Sequence, residues 1–204
     1  MIELKNVTKK IGDRKILKNV NFTFGNTGLF LITGDNGSGK STLLYILGLL
    51  DNNFGGEYII DNVDVKTYKN KDLNKIRREN FSFLFSRGNL LTFLSIEDNI
   101  FIGKKAKKSF KPKYLDLDLK RKASGLSGGE EMLVALEREN ILNKKVLLLD
   151  EITSSLDNVN LKKVMDALAE QSKVKLVILV THDSRIYEYG SLLEIRDGEL
   201  IQKR

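Results

Sequence analysis

Four short stretches of this chain carry residue types at spacings that phosphate chemistry would use. Gly34-Asp35-Asn36-Gly37-Ser38-Gly39-Lys40-Ser41 has the pattern Gly-x-x-x-x-Gly-Lys-Ser, with Thr42 directly after it. In such a loop the glycines let successive backbone N–H groups turn toward a phosphate without Cβ clashes. A helix starting there adds the partial positive charge of its N-terminus. Lys40 is then placed for the outer phosphates of a nucleotide, and the Ser41 hydroxyl for Mg²⁺. The second stretch, Val146-Leu-Leu-Leu-Asp150-Glu151, is an apolar run that ends in two acids. Asp150 at such a tip can hold Mg²⁺ through water, and Glu151 can orient or deprotonate an attacking water. Alone, that run is an ordinary strand end; after a phosphate loop it is a candidate catalytic pair. The third, Leu126-Ser127-Gly128-Gly129-Glu130, reads by itself as a helix N-cap with glycine spacers. The fourth, Thr181-His182-Asp183, holds the one histidine of the chain. A lone histidine is ordinarily a surface or core residue.

The elements that must position these groups alternate in type. Leu29–Thr33 reads as a buried strand, and Ser41–Leu50 as a helix with apolar residues nearly all round. Val146–Leu149 and Leu176–Val180 are continuous apolar runs, as in strands covered on both faces. Both end in polar clusters, and ligands bind parallel sheets just past the carboxyl ends of their strands. The fold class is therefore α/β with a mostly parallel sheet. Ile2, Leu4, Phe22, Phe24, Tyr58, Ile60, Val63 and Val65 alternate instead with polar residues, which suits an N-terminal antiparallel β layer with one covered face. Residues 87–135, with the single proline at Pro112, lack strand pattern and read as a short helical subdomain. The core is then about 1–86 and 136–204, all within one domain.

Composition narrows the class further. A chain of 204 residues, 41% of them hydrophobic, is enough for one substantial domain and argues against wholesale disorder. The longest apolar stretches fall well short of the roughly 18–20 residues that a bilayer crossing needs. MIELKNVTKK has no apolar core of a secretory signal, so the expected location is cytoplasmic. With no cysteine, disulfides and thiolate metal sites are out. The net charge of +7 maps onto residues 104–122, which hold nine Lys/Arg and two Asp. Such a run is a solvated loop, a contact for an anionic membrane surface, or a nucleic-acid contact.

The order of the motifs makes a family resemblance specific. Phosphate loop, LSGG, apolar run with Asp-Glu, then Thr-His-Asp after the next strand is the layout of ABC ATPases. The chain resembles ABC transporter nucleotide-binding subunits over nearly its full length. It is most similar to the short ATPases of the lipoprotein-release, macrolide-export and peptide-bacteriocin export type, through "GDNGSGKSTLLYILGLL", "FSFLFSRGNLLTFLSIEDNI" and "LSGGEEMLVALEREN". The resemblance implies a P-loop NTPase core that binds and hydrolyses ATP with Mg²⁺ held by Ser41 and Asp150. It implies Glu151, His182 and Lys40 as catalytic residues, and Ser154-Ser-Leu-Asp157 as a loop that communicates across a dimer. It also implies a homodimer or heterodimer with two ATP sandwiched between the phosphate loop of one subunit and Ser127, Gly128 and Gly129 of the other. The chain departs from the family at four places. Ser86 replaces the glutamine of "FQ", Ile11 aligns near the adenine-stacking aromatic, Ile152 replaces the proline of "DEPT", and Leu133 replaces the arginine of "LSGGQQQR".

The expected role is the motor of a transporter, an exporter by resemblance, driving an integral membrane permease on a separate chain from the cytoplasmic face of the membrane. A membrane-associated scaffold or sensor using the same dimer switch is the alternative. A DNA- or ribosome-acting ABC ATPase would carry a long coiled-coil insertion or a second cassette, and the chain has neither, so no nucleic-acid partner is expected. The basic run lies in the subdomain that faces the membrane partner in this family, which favours an anionic leaflet.

Overall fold

A computed structural model of the chain describes residues 1–104 and 110–203. The chain opens with β1 (Ile2–Ile11), β2 (Arg14–Phe24) and β3 (Gly28–Thr33), then α1 (Lys40–Leu47), β4 (Gly55–Ile60), β5 (Val63–Asp64), α2 (Asn70–Asn80) and β6 (Phe81–Phe85). After α3 (Ile96–Ile100) come α4 (Gly128–Leu142), β7 (Val146–Asp150), α5 (Asn158–Gln171), β8 (Leu176–Val180), β9 (Ser191–Arg196) and β10 (Glu199–Gln202). They build a four-stranded sheet in the order β2-β1-β4-β5 and a six-stranded sheet in the order β10-β9-β3-β8-β7-β6.

The small sheet is antiparallel, as the alternating N-terminal residues predict. Ile2 pairs with Phe24 on one side and Ile60 on the other, and Leu4 with Phe22 and Tyr58. Val65 lies just past β5 in a 3-10 turn, with its side chain buried. The large sheet is parallel except for β10, which runs antiparallel to β9. Its central strands are apolar throughout because both faces are covered. Leu147, Leu149, Val177 and Leu179 pack with Leu133, Leu136, Val164 and Leu168 of α4 and α5. Leu148, Ile178 and Val180 pack on the other face with Leu43, Leu44 and Leu47 of α1 and with β1 and β2. Fully burying such a side chain contributes about 1.5–3 kcal/mol.

The expected helix from Ser41 to Leu50 ends sooner. Its C-cap is Gly48, Leu49 takes a left-handed φ of 57°, and Leu50 N donates to Tyr45 O at 2.9 Å. Residues 87–127 carry little helix among those described: α3, capped by Ser95, and a 3-10 turn at Ala123–Gly125. Two local causes explain this. Pro112 lacks a backbone N–H and disfavours helical backbone before it, and Leu115, Leu117 and Leu119 alternate with Asp116 and Asp118 at a period of two. The segment is instead pinned from below. The buried Glu137 of α4 accepts from the backbone N–H groups of Lys113 and Tyr114, and burial raises its pKa above the ordinary glutamate value. α4 itself runs without a break through residue 135 to Leu142.

Register sets where the chemistry emerges. Ile32 pairs with Val180, Val180 with Asp150, and Asp150 with Phe85. The segments that follow β3, β8, β7 and β6 therefore leave the sheet side by side along one edge.

Candidate nucleotide-binding and active site

The phosphate loop is the turn from β3 into α1. Gly34 has φ 142°, and a Cβ there would come within 2.5 Å of the Ile195 carbonyl oxygen. Gly39 caps α1 at φ 107°, and a Cβ would come within 2.8 Å of Ile16 Cγ2. No other residue type fits either position. Contact of Gly39 with Ile16 and Leu17 also brings the β1–β2 hairpin, with Ile11 at its tip, beside the loop. Lys40 is buried, and its Nζ donates to the carbonyls of Gly34 (2.9 Å) and Asp35 (3.0 Å), which holds the ammonium over the loop. The Ser38 hydroxyl is buried and lacks a hydrogen-bond partner among the described residues. An unpaired buried hydroxyl costs about 1–3 kcal/mol, and a phosphate oxygen held by the loop would satisfy it. The chain thus offers a nucleotide phosphate backbone N–H groups, an ammonium and a free hydroxyl.

Beside the loop, Ser41 Oγ donates to Asp150 Oδ1 at 3.2 Å. Burial pushes the Asp150 carboxyl above its ordinary pKa and the charge of Glu151 adds to this, while hydrogen bonds from Ser41 and Tyr45 and the Lys40 charge oppose it. Ser41 and Asp150 supply two hard oxygen donors, a set that fits Mg²⁺, which takes one or two protein oxygens completed by phosphate and water. The Tyr45 contact was not foreseen, although position i+4 from Ser41 puts it on the same helix face.

Glu151 follows β7 in a left-handed conformation, φ 51°, and its N–H donates to Val180 O at 2.9 Å. Its Oε1 lies 3.5 Å from His182 Nδ1, with both side chains partly exposed. A cleft of about 520 Å³ beside them is lined by Gly34, Asp35, His182, Tyr187 and Glu194, among others. Lys40, Ser41, Asp150, Glu151 and His182 are thus brought to one edge of the large sheet.

Ser127, Gly128 and Gly129 belong to another element, the start of α4. Ser127 caps α4 in a reciprocal box: its Oγ accepts from Glu130 N at 3.3 Å, and its N–H donates to Glu130 Oε2 at 2.7 Å. A Cβ at Gly129 would come within 2.5 Å of Asn160 Cβ, so this turn rests on the start of α5. Gly128 has open space in front of it.

Of the four departures, Ile152 and Leu133 are buried in the cluster beneath α4 and α5 and serve as core. Ile11 is 59% exposed. Ser86 is exposed just past the end of β6, and the side chain of nearby Asn89 is engaged with Phe85. Its Oδ1 accepts from Phe85 N (3.0 Å) and its Nδ2 donates to Phe85 O (2.6 Å), so both amide ends are engaged.

A parallel α/β sheet with a phosphate loop, a Ser–Asp pair and an acid beside a histidine defines a P-loop nucleotide-binding protein. The family model described as ABC transporter matches residues 17–154, and the chain belongs to that family. The chain is 35% identical over 215 residues to the macrolide export ATP-binding/permease protein MacB of Campylobacter jejuni, covering 98% of this chain and 34% of that protein. It thus spans about a third of the length of several curated relatives it matches. It is also 34% identical to the ABC transporter ATP-binding protein MJ0796 of Methanocaldococcus jannaschii, over 98% of this chain and 95% of that one. A solved dimeric structure of MJ0796, in a post-hydrolysis state bound to ADP and Pi, matches with a TM-score of 0.80 at 33% identity, covering 100% of this chain and 99% of that one.

Proposed function

We propose that the chain binds and hydrolyses ATP as the motor of an ABC transporter, dimerising around two ATP and driving a membrane-spanning permease. The observation that carries this is the convergence of the phosphate loop, the Ser41–Asp150 pair and the Glu151–His182 pair at the ends of β3, β7 and β8. Loop amides from Gly34 to Lys40, the Lys40 ammonium and the Ser38 hydroxyl bind the phosphates. Ser41 and Asp150 hold Mg²⁺, which when bound offsets the phosphate charge. Glu151 aligns the attacking water and takes up its proton, and His182 contacts the γ-phosphate from the next strand. Ser127 and the Gly128 and Gly129 amides, at the start of α4, serve the ATP of the opposite subunit. The dimeric state of the MJ0796 structure supports a dimer. Export as the direction, and work from the cytoplasmic face, rest on likeness to export proteins. Among the described residues no helix is long and apolar enough to cross a membrane. The test is Mg²⁺-dependent phosphate release from ATP by the purified chain. No release with or without its membrane partner would refute the motor reading.

A further inference from the structure

One side chain ties the loop after Glu151 to the loop that carries His182, and the chemistry above does not use it. Arg185 grips Asp183 with a fork, Nε to Oδ1 at 2.9 Å and Nη2 to Oδ2 at 2.7 Å. The same guanidinium reaches the segment after β7. Nη2 donates to Thr153 O (3.3 Å), and Nη1 donates to Leu156 O (3.2 Å) and Asn158 Oδ1 (2.9 Å). The roots of the two loops are joined separately, by Glu151 N to Val180 O and by the Thr153 and Thr181 hydroxyls, 3.4 Å apart. The Thr153 side chain also hydrogen-bonds Asp183, and Arg185 extends the tie to Leu156 and Asn158. The demand for such ties is real, because Glu151 is a non-glycine residue at φ 51°. Backbone of that kind costs about 1–3 kcal/mol and persists only where the surroundings over-determine it.

We infer that Arg185 is a positioning residue: by clamping the loop after Glu151 to the loop that carries His182, it sets the separation of carboxylate and imidazole. A planar guanidinium with five fixed donors suits this, whereas a lysine is a point charge and cannot span both loops. The effect on turnover rests on the motor reading above; the effect on the Glu151–His182 contact does not.

The chain has a single histidine, so the imidazole resonance of ¹⁵N-labelled His182 reports that contact without overlap. In nucleotide-free protein at one fixed pH, Glu151→Gln is expected to move the resonance. In the Arg185→Ala and Arg185→Lys backgrounds the same change is expected to produce less than about half that shift, the non-additivity of coupled sites. With ATP, both Arg185 variants are expected to lose about tenfold or more in kcat while KM stays within about threefold, the pattern of a group that acts through the reacting geometry. Cooperative melting confirms that a variant is folded, and should the alanine variant fail to fold, the lysine variant carries the test. A full shift in a folded Arg185 variant, or wild-type kcat in Arg185→Lys, would overturn the clamp. If the protein proves to hydrolyse no ATP, the resonance arm still decides, so the two readings fail separately.

Discussion

His182 Nδ1 stands 3.5 Å from Glu151 Oε1, joining two side chains that lie 31 positions apart in the chain and leave neighbouring strands at one level. The pairing places an acid beside an imidazole that lines the cleft next to the phosphate loop. If Glu151 is the base, Glu151→Gln should keep ATP binding and lower turnover by about 10²-fold or more, the usual contribution of a general base. Steady-state phosphate release, with gel filtration in ATP to follow dimer formation, checks this. Near-normal turnover would remove Glu151 from that role.

Ser86 should matter little to the chemical step. A serine side chain is shorter than a glutamine by two heavy-atom links, so its hydroxyl should fall short by roughly 2–3 Å of a metal that a glutamine there would reach, and Mg²⁺ readily keeps water instead. Ser86→Ala is expected to change basal ATPase rate by less than about tenfold, or 1.4 kcal/mol. A hundredfold loss would mean that the loop after β6 moves to bring Ser86 onto the metal or the water. The nearby Asn89 has both ends of its amide bound to Phe85.

At the tip of the β1–β2 hairpin, Ile11 offers an exposed aliphatic side chain rather than a ring. Base stacking on an aromatic is worth about 1–3 kcal/mol, and without it selection between adenine and guanine should be weak. Competition between ATP and GTP for binding measures this. A preference above about a hundredfold, some 2.7 kcal/mol, would require another recognition element.

The Asp183–Arg185 pair predicts an acid limit. The Arg185 hydrogen bond, the largest cause, holds the Asp183 carboxyl below its ordinary value of 3.8. With the folded pKa below the unfolded one, the unfolded chain binds the proton more readily. The pair therefore stabilises fully above pH 3.8 and loses its effect as pH falls through the lowered folded value. Asp183→Asn should lower the urea midpoint at neutral pH, and the deficit should shrink at about pH 3. A deficit of equal size at both would mean that the carboxylate charge is not what stabilises.

For the basic run, salt-sensitive binding to anionic liposomes is expected, at about 1 kcal/mol for each Lys or Arg near the surface. Lys113 is already paired with Glu170, Lys104 donates to Ile141 O and Arg121 to Gly125 O, which leaves Lys111, Lys120 and Lys122 as the described side chains better placed to reach it. Lys105, Lys107 and Lys108 lie outside the described residues. Equal sedimentation with neutral and anionic vesicles at low salt would sink the idea.

Much of the site was legible as sequence because its parts are local. A phosphate loop needs glycines within a few residues of a lysine and a serine, and both faces of a covered strand must be apolar, so Gly34–Ser41 and the runs ending at Asp150 and Val180 announce themselves. The alternation of Ile2, Leu4, Phe22 and Phe24 likewise foretells a sheet covered on one face, as β1 and β2 bear out. Other features depend on which strands become neighbours. β8 lies between β3 and β7, and this order lets Glu151 meet His182 and lets Arg185 reach from Asp183 to Asn158. Likewise, only packing shows that Gly129 must be bare because Asn160 lies beneath it, that Leu133 and Ile152 are core, and that Glu137 holds up Lys113 and Tyr114. The physical reason is range. Backbone conformation and apolar periodicity are written over a few residues, whereas a hydrogen bond between loops about 30 residues apart forms only after the sheet has chosen its strand order and register.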